Sequence, residues 1–247
     1  MKRTLKALGI SLACGTVALG GLVYSFPLGP SGCVASPHGV CWASGVYIGH
    51  GFMLTNQHVA MSSSEESSFR VPGWKYIWRT IEADIEQTAF LDRDIELGVV
   101  KLKPSMLDFV GVATPCLSAR PVKRGQTLKV TSSVSGKFPP VPAVLVVSDP
   151  RPLMRLNPFP RSESPYSAMT IIATLSADQA ALAGPGSSGG PVLNEDGELV
   201  GLVWTGRVSG RGFEEVWITP VSSWLSQLRE AEIPEDALQV LLKARCP

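Results

Sequence analysis

Residues 184–193 read GPGSSGGPVL, two adjacent serines with glycine on both sides and a proline closing the run. A serine hydroxyl is a weak nucleophile at neutral pH. It becomes reactive beside a general base, usually a histidine that is itself oriented by an acid. The fold therefore turns on where histidines and acids stand relative to Ser187 and Ser188. The chain contains three histidines, His38, His50 and His58. His38 lies between Cys33 and Cys41, and His50 sits in a Gly-His-Gly turn, so both read as solvated turn residues. His58 differs. It comes near the end of GFMLTNQHVA (51–60), an apolar strand running into a polar turn that delivers the imidazole.

Chain order then eliminates alternatives. Gly186, Ser188 and Gly190 form a G-x-S-x-G elbow, but the fold that uses this elbow places its histidine after the serine. No histidine follows position 58. An order with the acid ahead of the histidine fails as well, because no Asp or Glu precedes Glu65. What remains is histidine, then acid, then serine.

The composition agrees with a β-rich chain. Of 247 residues, 45% are hydrophobic and 17% charged, with 24 Gly and 20 Pro to punctuate them. The formal net charge is +1, with no dense basic run beyond the N-terminus, which excludes a nucleic-acid footprint. From Val40 onward, short apolar runs recur between Gly, Pro, Asn and Asp breaks, a pattern of barrels or a sandwich. Residues 194–199 (NEDGEL) make a hairpin turn, since Asp-Gly accepts positive φ. Residues 61–68 read as a polar surface loop, and 148–166 as a Pro-rich surface insertion. Helix signals come at the end. Thr219-Pro220 suits an N-cap and first helical position ahead of VSSWLSQLREAE, and Pro234 repeats the device for EDALQVLLKAR.

At the N-terminus, Lys2, Arg3 and Lys6 precede the uncharged stretch Ala7–Phe26. A basic segment ahead of an apolar one is an export signal. At roughly 20 residues it is also long enough to span a bilayer as a retained anchor. The cysteines fit export. Cys14 lies inside this segment, leaving Cys33, Cys41, Cys116 and Cys246, and four thiols allow three disulfide connectivities. The segment CVASPHGVC can close on itself as a hairpin-like loop, which leaves Cys116 with Cys246; four free buried thiols are the alternative. No C-x-x-C pair or His/Cys spacing supports a metal site, and no cofactor is expected.

Taken together, LTNQHVA, DIELGVVKL and GPGSSGGPVL…GELVGLVW resemble the chymotrypsin-like (trypsin-fold) serine proteases. The closest likeness is to the bacterial exported branch that includes the high-temperature-requirement proteases. The likeness covers about residues 40–228 and implies an all-β fold of two antiparallel six-stranded β-barrels with the site between them, followed by a C-terminal helix. The implied division is a signal peptide or membrane anchor at 1–26, a barrel with His and acid at 27–118, a barrel with Ser at 119–228 and a helical tail at 229–247. The family register makes Ser188 the nucleophile, since it precedes Gly-Gly-Pro, with His58 as its base. The backbone N–H groups of Gly186 and Ser188 then form the oxyanion hole. Glycine at 186 lets the chain turn there without a Cβ clash.

The acid is Glu96 or Asp94. The family strand places its acid five residues before a lysine, and counting back from Lys101 lands on Glu96, with Gly98 at a small buried position. Choosing Asp94 would bury Glu96 at that position, at a cost of several kcal/mol. The resemblance also implies a substrate pocket with its base at Leu182 and Ala183 and a wall of Val203, Trp204, Thr205 and Gly206. With no charged residue there, this suggests an apolar P1 preference. Ser187 stands where trypsin-like enzymes place the aspartate that pairs with a freed N-terminus, so the oxyanion loop must be ordered by its own contacts. The expected function is an exported serine endopeptidase acting on protein or peptide substrates. The alternative is a catalytically inactive binding module of the same fold, held at a membrane through residues 7–26.

Overall fold

The computed structural model describes residues 29–73, 80–90, 96–156, 167–209, 212–225, 228 and 234–247. The expected signal or anchor therefore lies outside the described residues. Six strands, β1 (Ser31–Ala35), β2 (Cys41–Gly49), β3 (Phe52–Thr55), β4 (Ser68–Pro72), β5 (Thr80–Phe90) and β6 (Gly98–Leu102), close into an antiparallel barrel in the order β1-β2-β3-β6-β5-β4. Six more, β7 (Thr127–Ser132), β8 (Val141–Leu156), β9 (Ser167–Leu175), β10 (Pro191–Leu193), β11 (Leu199–Ser209) and β12 (Gly212–Pro220), repeat the topology as β10-β11-β12-β9-β8-β7. Closure pairs the barrel strands on both sides, while the outer half of β8 pairs with β9 alone among the described residues.

In the second barrel the sequence alternates as a half-buried sheet should. Ala143, Leu145 and Val147 of β8 point into the core while Val144 and Val146 are exposed. The strands nearest the site do not alternate, because both of their faces are covered. Tyr47, Met53 and Val100 fill the first barrel. Their neighbours Val46, Ile48, Leu54 and Val99 point outward into a second cluster. That cluster takes in Leu199 and Leu202 of the second barrel and Trp224 and Leu241 of the C-terminal helices. The apolar runs GVYIG and GVV thus serve both a barrel interior and the junction between barrels.

Three features depart from the sequence expectation. Residues 148–156 lie at the surface as expected, but they form the outer half of β8, paired with β9 through Leu156↔Ser167; residues 157–166 lie outside the described residues. Pro150 and Pro152 are tolerated because the register jumps from Asp149↔Ile172 to Leu153↔Thr170, a bulge that demands no ladder hydrogen bond from them. Pro220 ends β12 rather than opening a helix, and helix α2 begins one residue later (Val221–Leu225). A helix not foreseen, α1 (Gln57–Ser62), carries His58. Helix α3 (Glu235–Lys243) starts behind Pro234 as expected. The 194–199 turn also forms, with the Asn194 N–H donating to Glu198 O and Gly197 at φ +80°.

Both disulfides pair as the hairpin reading suggested. Cys33–Cys41 staples β1 to β2, and Cys116–Cys246 ties the connection between barrels to the segment after α3. The second spans a sequence separation of 130. Chain-entropy reasoning gives such a large loop about 5 kcal/mol of stabilisation. Backbone bonds reinforce it: the Leu117 N–H donates to Ala244 O and the Cys246 N–H to Leu117 O.

Candidate active site

Helix α1 begins where β3 ends and places His58 in its first turn, with the imidazole side chain 27% exposed. Its N-terminal backbone is held by Glu96. The Glu96 carbonyl accepts from the Gln57 N–H (3.2 Å) and from Asn56 Nδ2 (3.2 Å). The Glu96 carboxylate is fully buried, and its Oε2 lies 3.0 Å from His58 Nδ1 and 3.4 Å from the His58 backbone nitrogen. A carboxylate only accepts, so Nδ1 carries the proton and Nε2 is the acceptor nitrogen of the neutral ring.

Glu96 adopts φ +52°. For a residue with a Cβ this left-handed backbone costs about 1–2 kcal/mol and persists only where its surroundings over-determine it. The contacts with Asn56, Gln57 and His58 supply that constraint. Gly98, two residues on, has no room for a side chain, because a Cβ there would lie 2.6 Å from Ala60 Cβ and 2.7 Å from Asn56 O. Helix α1 and β6 therefore approach closely enough for Glu96 to reach the ring. Asp94 falls outside the described residues. His38 and His50 lie in exposed turns.

The serine loop is built against this junction. Ser187 is fully buried, with its hydroxyl accepting from Ser132 Oγ (3.0 Å) and the Gly184 N–H (3.0 Å). Ser188 is half-buried, and its hydroxyl donates to the Trp204 carbonyl at 2.9 Å. The Ser188 carbonyl accepts from the Ser44 N–H of β2 (2.8 Å). Gly189 is pressed into the first barrel at φ +83°, where a Cβ would lie 2.1 Å from both Ser44 O and Thr55 Oγ1. Thr55, at the end of β3, stands three residues ahead of His58. The two motifs thus meet across one close contact.

The peptides between Gly184 and Ser188 have fixed directions. The Pro185 carbonyl accepts from the Ser135 N–H (2.7 Å), and the Gly186 carbonyl from Ser44 Oγ (2.8 Å). The Ser187 carbonyl accepts from the Gly190 N–H (2.9 Å). In a trans peptide the N–H points opposite to its C=O. The Gly186 and Ser188 N–H groups are therefore turned away from these partners, and among the described residues neither finds an acceptor. Gly186 takes φ +95°, and a Cβ there would lie 2.7 Å from Ser133 O.

The residues expected to line a substrate pocket divide. The side chains of Ala183, Val203 and Trp204 are buried, and the main chain of Val203 is bonded to Gly189 and Gly190. Trp204 packs on Trp217 (ring centroids 5.9 Å apart), over which Arg155 lies at 5.8 Å. Leu182 and Thr205 are half-buried. A residue missed from the sequence stands between the two segments that flank Ser188. The Phe213 N–H donates to Ala183 O, and its ring lies where a Cβ on Gly206 would meet it at 2.6 Å. Nothing in the local motif marks Phe213, because it arrives from β12 through strand pairing.

A sequence model of the trypsin-like peptidase domain matches residues 43–202. No curated protein sequence matches significantly. Among solved structures, the active form of the Rv3671c protease from M. tuberculosis is similar at a TM-score of 0.57 and 15% identity, covering 86% of this chain and 85% of that one. The MamO protease domain from Magnetospirillum magneticum gives 0.57 at 16% identity, covering 83% and 98%. An HtrA-type protease, AlgW, solved with a tripeptide, gives 0.57 at 15% identity, covering 84% of this chain and 62% of that one. These likenesses establish the two-barrel, chymotrypsin-like fold. The family model covers well over half of the sequence, from β2 through the serine loop into β11, and on that match the chain belongs to the trypsin-like peptidase family.

Proposed function

We propose that this protein is an exported serine endopeptidase in which Ser188 attacks the scissile carbonyl, His58 is the general base and Glu96 orients the imidazole. The observation that carries this reading is the buried Glu96 carboxylate 3.0 Å from His58 Nδ1, on the barrel that packs against the Ser188 loop. In the resting state the Ser188 hydroxyl donates to the Trp204 carbonyl. For attack it is redirected to His58 Nε2, the Ser188 Oγ–carbon bond forms, and the carbonyl electron pair moves onto oxygen. The outward N–H groups of Gly186 and Ser188 receive that oxyanion. Each such donor is worth about 3–4 kcal/mol in the transition state. His58 then returns the proton to the leaving amine, and water repeats the sequence on the acyl-enzyme. No cofactor enters.

Export is supported by the basic and then apolar N-terminal segment and by two disulfides, which persist in oxidising compartments.

The reading is tested by treating the folded protein with a fluorophosphonate probe and locating the adduct by fragmentation mass spectrometry. Labelling on Ser188 is expected. A folded protein that stays unlabelled, or an adduct on Ser187, overturns the assignment.

The expected apolar P1 preference becomes narrower. The Phe213 ring packs against Gly206 and its N–H holds the Ala183 carbonyl, and Glu215 is paired with Arg207 Nε at 3.0 Å, from which we read a narrow subsite without a free carboxylate. Peptide-library profiling is expected to show cleavage after small apolar residues such as Ala and Val, and Phe213→Ala should shift the profile toward Leu and Met. A wild-type profile led by Arg, Lys or Phe would refute this.

A further inference from the structure

The hydroxyl of Ser44 belongs to the first barrel, yet both of its hydrogen bonds go to the second. Ser44 is fully buried on β2. Its Oγ donates to the Gly186 carbonyl (2.8 Å) and accepts from the Ser133 N–H (2.7 Å). Its backbone N–H holds the Ser188 carbonyl, and its own carbonyl accepts from Thr55 Oγ1 (2.7 Å). One residue therefore grips both members of the proposed oxyanion hole, Gly186 through its side chain and Ser188 through its main chain. The other supports of the loop are also neutral: Ser132 Oγ and the Gly184 N–H on Ser187 Oγ, the Ser187 N–H on Gly184 O, the Ser135 N–H on Pro185 O, the Gly190 N–H on Ser187 O, and the main-chain bonds of Gly189 and Gly190 with Val203. Among the described residues no ion pair touches residues 184–190.

From this geometry we infer that Ser44 is a positioning residue. Its hydroxyl holds the C=O end of the Gly186–Ser187 peptide, whose N–H end is bonded to Gly184 O, and with the Pro185–Ser135 bond on the preceding peptide it keeps the Gly186 N–H toward the reacting carbonyl. The loop is thus pre-formed by a hydroxyl from the opposite barrel. Removing that hydroxyl strands the Gly186 carbonyl and the Ser133 N–H without partners in the interior. The 185–187 peptides can relieve this by rotating, which swings the Gly186 N–H off target. The glycine at 186 permits that rotation because it has no Cβ to oppose it. The inference rests on Ser188 acting as the nucleophile.

The test compares the full-length wild type with Ser44→Ala and Ser44→Cys. Fluorophosphonate reaction is followed for its second-order rate constant and its end-point stoichiometry across pH. In the adduct, Ser188 Oγ bonds to phosphorus, fluoride leaves, the serine proton goes to His58, and the phosphoryl oxygen takes the oxyanion position. For Ser44→Ala the rate constant is expected to fall about 10–100-fold, short of the 10²–10³ that follows complete loss of a donor. Stoichiometry should stay near that of wild type, and the midpoint of the pH–rate profile should not move, since His58 and Glu96 are untouched. Ser44→Cys keeps the shape and a weak donor, and should fall between the two. If the residue were merely structural, the labelled fraction would drop while the labelled molecules reacted at the wild-type rate, which overturns the inference. A wild-type rate for Ser44→Ala also overturns it, and should that variant not fold, a wild-type rate for Ser44→Cys does the same. A folded wild type that does not react defeats the proposed nucleophile, and the inference with it.

Discussion

Ser188→Ala is expected to lower peptide hydrolysis by about six orders of magnitude, the scale seen when the nucleophile of a cooperating catalytic unit is removed. It should do so without unfolding the protein. The Ser188 hydroxyl donates to the Trp204 carbonyl, at a half-buried position that water can reach. Ser187→Ala should behave in the opposite manner. That side chain is fully buried and satisfies both Ser132 Oγ and the Gly184 N–H. Its loss costs about 1–3 kcal/mol of stability, while the reacting hydroxyl stays in place. The pair of variants separates two neighbouring serines by different readouts, kcat/KM on a library-derived fluorogenic peptide and thermal unfolding. Retention of more than about a hundredth of the activity by Ser188→Ala, against the collapse expected of a nucleophile, would remove it from that role.

Glu96→Gln is expected to reduce kcat/KM about 10⁴-fold, the cost of holding the imidazole in the wrong tautomer when an amide replaces the acid. The contacts explain why so small a change matters. Oε2 takes both the Nδ1 proton and the His58 backbone N–H, and a glutamine can turn its NH₂ toward the ring and reverse the proton's location. The removed charge also ceases to stabilise the imidazolium that forms during attack. Asp94→Asn should change the rate only a few-fold on the same assay. The comparison is decisive in either direction: a greater loss for Asp94→Asn transfers the acid's role to that residue.

Much of this site was legible in the chain because the constraints were local. The order of His58, the acids and Ser188 excluded two other triad architectures by itself. Counting back from Lys101 along β6 pointed to Glu96, and Gly98 marked the close approach of helix α1, where no Cβ fits. The choice of Ser188 over Ser187 followed from Gly-Gly-Pro; of the two, Ser187 is the fully buried one. What escaped notice depends on pairing between distant segments. The prolines of 148–156 argued against a strand, yet the bulge opposite Ile171 absorbs them, and a bulge has no sequence signature on its own strand. The roles of Phe213 and Ser44 are set by the facing barrel wall and the facing barrel. Neither stands in a motif, and serine in a strand reads as neutral until its partners are known.

The Cys116–Cys246 bridge turns the whole second barrel, with its helices, into one covalent ring. A peptidase is exposed to cleavage by its own copies, and a single cut anywhere between those cysteines leaves the two pieces joined through the ring. Such nicked molecules would keep the mass of the intact protein, apart from one added water, until a reductant separates them. Self-digestion of the Ser188 half would then be invisible on non-reducing electrophoresis and plain on reducing electrophoresis.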